Sequence, residues 1–161
     1  MIALALAVSA VAADPVGWPS YRAGMGRAGY SNQALSFSAT ETWRHDMPAP
    51  SPAWTTPARR SYWQQLEGIL PRVTGDWANH PVADESRVWL GSSADDTVRC
   101  LDAQTGELLW SFVADGPVRY APVLADGRLF FGSDDGSVYC VQAGTGRLVW
   151  RERLGPRDWR I

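Results

Sequence analysis

The chain has 161 residues, 45% of them hydrophobic and nine of them tryptophan, which is enough to build a substantial core. Its formal charge is −2 and all 15 basic residues are arginine. That balance argues against a nucleic-acid partner, which calls for a basic surface, and removes any catalytic or Schiff-base lysine.

Residues 1–13, MIALALAVSAVAA, are an apolar run that ends in small residues, Ala10 to Ala13, before Asp14 and Pro15. The run is shorter than the roughly 20 residues of a transmembrane span. It predicts a secretory signal with cleavage near Ala13 and an exported product, periplasmic or extracellular. It lacks the basic residues that open such a signal, which suits a truncated start. The first cysteine is Cys100, so no lipid-anchoring cysteine follows.

Residues 14–77 form a lead-in: a glycine- and aromatic-rich opening, GWPSYRAGMGRAGYS, then a first strand expected within SATETWRHDM. Pro48, Pro50, Pro52 and Pro57 follow, and such a density of proline belongs to a surface connection. Over 58–70, Tyr62, Leu66, Ile69 and Leu70 fall on one helical side, which predicts a short inserted helix. Arg59 and Arg60 beside Tyr62 and Trp63 are read as a solvated face rather than a patch for an acidic partner.

Beyond residue 77 the chain repeats itself. ADESRVWLGSSADDTVRCLDAQTGELLW, residues 83–110, aligns with ADGRLFFGSDDGSVYCVQAGTGRLVW, residues 125–150, and Cys100, Thr105, Gly106 and Trp110 recur 40 residues on as Cys140, Thr145, Gly146 and Trp150. In the second copy Asp126-Gly127, Asp135-Gly136 and Thr145-Gly146 separate four apolar runs, and Asp-Gly between such runs is a strong hairpin signal. The first copy has strands in HPVA, RVWLGS, TVRCLD and ELLWSF, with looser turns. A period of about 40 residues built of short strands predicts an all-β chain, a β-propeller of four-stranded antiparallel blades. The blades are expected at 78–115 and 116–154, with 155–161 opening a truncated continuation. Two blades cannot close a ring that takes roughly four to eight, so further blades of a longer chain are expected to complete it. Cys100 and Cys140 hold equivalent places in neighbouring blades, about 10 Å apart, too far for a disulfide; two free, buried thiols are expected.

CLDAQTGELLW and its echo CVQAGTGRLVW resemble the repeat of the pyrroloquinoline quinone (PQQ)-type propellers, the quinoprotein alcohol dehydrogenase-like superfamily, whose pattern is A-x-D-x-x-T-G-x-x-x-W. Asp102 fits the pattern, Gln142 replaces the aspartate in the second copy, and cysteine replaces the alanine in both. The resemblance implies an eight-bladed ring in which Trp110 and Trp150 dock neighbouring blades, Thr105, Gly106, Thr145 and Gly146 shape the turns, and Cys100, Cys140 and Asp102 support the packing.

The resemblance raises a quinone enzyme, with PQQ and Ca²⁺ in the central channel and commonly a disulfide of adjacent cysteines on the quinone. No adjacent cysteines occur in this chain. The paired carboxylates Asp95-Asp96 and Asp134-Asp135 fall at the turn between second and third strands, where aspartate serves the turn. His45 and His80 have no ligand-spaced companions for zinc, and no nucleophile elbow or phosphate loop occurs. No catalytic, cofactor or metal residue is therefore assigned in this stretch. The leading expectation is a non-catalytic module that binds or scaffolds a protein or a cell-envelope ligand, without nucleic acid and without a membrane span. The alternative is part of a PQQ- and Ca²⁺-dependent dehydrogenase whose catalytic residues lie outside this chain.

Overall fold

The computed structural model describes residues 17–23, 26–30, 40–49 and 80–155. The signal run, most of the proline-dense stretch, the 58–70 helix and the continuation after Gly155 lie outside the described residues. Among those described there is no helix, and none therefore that is long and apolar enough to cross a membrane.

Eight strands form two antiparallel sheets of four, each in sequence order. The first holds β1 (Val82–Ala83), β2 (Arg87–Gly91), β3 (Thr97–Asp102) and β4 (Leu108–Val113). The second holds β5 (Val123–Ala125), β6 (Arg128–Gly132), β7 (Ser137–Gln142) and β8 (Leu148–Arg153). Turn chemistry sets the strand boundaries. Asp126 and Gly127 both take positive φ, 48° and 70°, as a two-residue type I′ hairpin demands. Asp96, at φ 58°, holds the left-handed place that Gly136 holds in the second sheet.

Register repeats as faithfully as sequence. Cys100 pairs with Trp110 and Cys140 with Trp150, and one bulge follows each cysteine. Both β3 and β7 are apolar on both faces, as strands in a sheet covered on both sides must be. The core lies between the two sheets: Trp89, Val98, Cys100 and Ala114 pack with Leu129, Phe131, Tyr139, Val141 and Ala143. The two sheets approach each other at β1 and β5, whereas β4 and β8 make no such approach. They are thus arranged as radial layers, with β1 and β5 innermost.

The strand expected within residues 38–47 is corrected: described residues 40–49 carry none. Their backbone makes no ladder with the first sheet, and the Trp43 side chain is what meets it.

Candidate functional site

The residues marked by the repeat converge where one unit meets the next. Trp110 leaves β4 and lies on the β7–β8 turn of the second sheet. Its indole Nε1–H donates to the Ala143 carbonyl at 3.0 Å. The ring covers Gly146 so closely that a Cβ there would stand 2.6 Å from it. Gly146 also has φ 70°, so both the turn and the contact require glycine. The same arrangement recurs one unit earlier. Trp43 donates to the Ala103 carbonyl at 3.0 Å and covers Gly106, where a Cβ would lie 2.6 Å from the ring.

The Asp/Gln difference between the copies has a local explanation. Asp102 Oδ1 accepts the amides of Gln104 and Thr105 at 2.8 and 2.9 Å, and the Thr105 and Gln104 amides hold the carboxyl below its usual range. Gln142 is longer and neutral, and its Oε1 accepts the Thr145 hydroxyl at 2.8 Å instead. Each turn closes with the same backbone bond, Gly106 to the Asp102 carbonyl and Gly146 to the Gln142 carbonyl. Cys100 and Cys140 are buried free thiols, one on each middle strand, and burial pushes Cys100 up to about 11.

Trp150 stands on the far face of the second sheet, tilted against Phe130 with ring centroids 6.1 Å apart, and is 40% exposed. It occupies on β8 the place that Trp110 occupies on β4. Four contributors were missed in the sequence. Trp43 falls outside the 40-residue spacing. Ala103 and Ala143 stand at the same place in DAQTG and QAGTG, a match that marks the position but not the acceptor role of its carbonyl. Trp89 sends its Nε1–H to the Ala143 carbonyl at 3.1 Å, so one carbonyl accepts two indoles.

At the opposite end of the sheets lies a charged cluster around Asp135. Its carboxylate accepts the Tyr139 hydroxyl at 2.6 Å, the Ser137 amide at 2.8 Å and the Arg151 guanidinium at 2.9 Å. Burial alone would raise the Asp135 pKa; the bonds from Tyr139 and Ser137 and the Arg151 charge hold it low. Arg151 also pairs with Asp115 and lies 5.1 Å above the Tyr139 ring. Arg119 pairs with Asp134 and Arg99 with Asp95. Asp96 is pushed up by burial and by the carboxylates of Asp95 and Asp134. A cavity of about 220 Å³ opens here, lined by Asp115, Asp134, Asp135, Arg151 and Arg153 among others. Asp95, Asp115, Asp134 and Asp135 each face a guanidinium. Among the described residues no group of three or more potential ligands is poised for a metal.

The family model described as outer membrane protein assembly factor BamB matches residues 33–158. No curated protein matches the sequence. Among solved structures, a quinohemoprotein alcohol dehydrogenase from Comamonas testosteroni aligns over 88% of this chain and 20% of its own, at 18% identity and TM-score 0.61. BamB from Moraxella catarrhalis aligns over 46% of this chain and 22% of its own, at 16% identity and TM-score 0.42. A europium-containing methanol dehydrogenase aligns over 49% and 16%, at 20% identity and TM-score 0.42. The chain thus spans 16% to 22% of the length of these structures. The Comamonas likeness shows the fold: the two sheets are β-propeller blades.

Proposed function

The chain belongs to the PQQ-like repeat family described as outer membrane protein assembly factor BamB, and from that premise we propose that it is a non-catalytic propeller module of the cell envelope. It holds a protein partner or an envelope ligand on its blades, within a larger ring whose remaining blades dock as these two do. One observation carries the reading. The residues that the repeat marks, Trp110, Gly146 and the Asp102 and Gln142 turns, are engaged in joining blades and shaping turns. The charged cluster supports it, since its carboxylates are neutralised within the protein and act as struts at the blade junction. In the intact ring the Trp150 indole lies on the Thr-Gly turn of a following blade, as Trp110 lies on Gly146.

The test is a titration of the full chain with PQQ and Ca²⁺, following tryptophan fluorescence and dye-linked alcohol oxidation. A scaffold gives neither saturable quenching nor turnover, whereas both together would establish the dehydrogenase reading. Cross-linking in the intact envelope from a photo-reactive group at exposed Val149 supplies the positive arm. A single adduct of defined mass is expected, and its absence would count against a protein partner.

A further inference from the structure

The innermost edge of the two blades is not bare. Alternation along an antiparallel ladder points the N–H groups of Ala83 in β1 and Leu124 in β5 away from their partner strands, toward the axial side. Both are taken by one short segment of the lead-in. Trp18 and Ala83 exchange two backbone bonds as an isolated antiparallel bridge, Trp18 N–H to the Ala83 carbonyl at 2.7 Å and Ala83 N–H to the Trp18 carbonyl at 2.9 Å. The very next residue reaches the other blade: the Pro19 carbonyl accepts the Leu124 N–H at 2.8 Å. Consecutive residues are about 3.8 Å apart, so a single peptide step ties the inner strands of two blades together.

The segment's own residues are suited to this. Gly17 has φ 109°, and a Cβ there would stand 2.5 Å from the Ala83 carbonyl oxygen, so only glycine lets the chain approach β1. Pro19 has no N–H to leave unsatisfied and contributes only the carbonyl that the contact uses. Tyr21 then rests on the ring of His80, at the entry to β1, with centroids 4.7 Å apart. Beside the bridge, Trp18, His80, Pro81, Ala83 and Val88 line a shallow cavity of about 420 Å³.

We propose that residues 17–20 are an inter-blade clasp. The clasp sets the spacing of the inner strands and closes the axial edge of both blades to strand addition, while among the described residues the outer strands β4 and β8 have no further strand on their edges. It is distinct from the indole docking on the Thr-Gly turns, which joins the blades farther out.

Hydrogen exchange on the full chain tests the clasp. In Gly17→Val the amides of Ala83 and Leu124 are expected to exchange about 10-fold faster or more, together, while the Cys100 amide inside the β2–β3–β4 ladder stays protected. If either Ala83 or Leu124 keeps its protection, the clasp is refuted. If Cys100 is released as well, Leu124→Pro decides, because it deletes one outward donor and leaves the β5–β6 ladder bonds in place. Faster exchange at Ala83 in that variant, across the blade boundary, supports the clasp, and unchanged exchange overturns it.

Discussion

Two indoles on one carbonyl make the junction between the blades testable by a double-mutant cycle. Trp89 and Trp110 donate to the buried Ala143 carbonyl at 3.1 and 3.0 Å. Trp110→Phe removes one N–H, but the carbonyl keeps the other, so the loss is one ordinary hydrogen bond, about 1 kcal/mol. Trp89→Phe loses a bond of the same kind plus roughly 1 to 2 kcal/mol of packing, since Trp89 is fully buried. The double variant differs in kind, because a buried carbonyl then has no donor at all. Leaving such a group unsatisfied adds about 1 to 3 kcal/mol beyond the sum, and the packing cost at Trp89 cancels in the cycle. With a urea slope of about 1 to 3 kcal/mol per M, the coupling displaces the midpoint by roughly 0.3 M or more beyond the sum of the single shifts. Urea titrations followed by circular dichroism read it directly. Additivity to within about 0.5 kcal/mol would show that the two indoles do not share the acceptor.

Trp110→Ala is expected to cost about 3 kcal/mol or more and Trp150→Ala about 1, because Trp150 is 40% exposed; equal melting shifts would contradict the assignment of Trp110 to the junction. Gly146→Ala places a Cβ 2.6 Å from the Trp110 ring, whereas Gly127→Ala meets nothing within 4 Å at the same φ of 70°. Both variants bear the backbone strain of about 1 kcal/mol, and the excess at Gly146, about 1 to 3 kcal/mol, measures the indole contact by urea midpoint. Asp95 is held at about 2 by the Arg99 guanidinium, below the ordinary aspartate value of 3.8. Its contribution is therefore present above about pH 4 and fades as pH falls toward 2, and at partial exposure it amounts to about 1 kcal/mol. Asp95→Asn should shrink the stability gap between about pH 6 and about pH 3, and an unchanged gap would sink the pairing. Burial and the bond to Asp135 push the Tyr139 hydroxyl up to about 12, so Tyr139→Phe should delete a phenolate step near that pH in an absorbance titration.

The strands were legible because turn chemistry brackets them. TVRCLD and SVYCVQ coincide with β3 and β7, and Asp126-Gly127 takes the doubly left-handed turn its dipeptide requires. The inner strands came out shorter than their apolar runs, Val82–Ala83 and Val123–Ala125, since Pro81 and Pro122 stop each ladder from extending backward. The tryptophan positions were legible from the repeat; their acceptors were not, because a backbone carbonyl carries no side-chain signature. Trp43 escaped for another reason: the insertion between it and the first blade breaks the 40-residue spacing by which Trp110 and Trp150 were matched. The contact of Trp18 and Pro19 with β1 and β5 is long-range backbone pairing, and no local pattern announces it.

The two blades agree where they join and differ in how strongly. Ala103 and Ala143, Gly106 and Gly146, and Trp110 and Trp150 are identical in kind, and at Trp43 and Trp110 they produce the same indole-on-glycine contact. The positions beside them have diverged: Trp89 corresponds to Phe130, Arg99 to Tyr139 and Ser111 to Arg151. Phenylalanine has no N–H, so the Trp150 face offers one indole donor where the Trp110 face offers two. The junction between the two blades also carries the Asp115–Arg151–Asp135 bridge and the Phe112 edge contacts on Phe131 and Tyr139. In a stacked array stability is close to a sum of unit and interface terms. The Trp89–Trp110 junction, with its two indole bonds, the Arg151 bridge and the Phe112 edge contacts, is then expected to part late in unfolding.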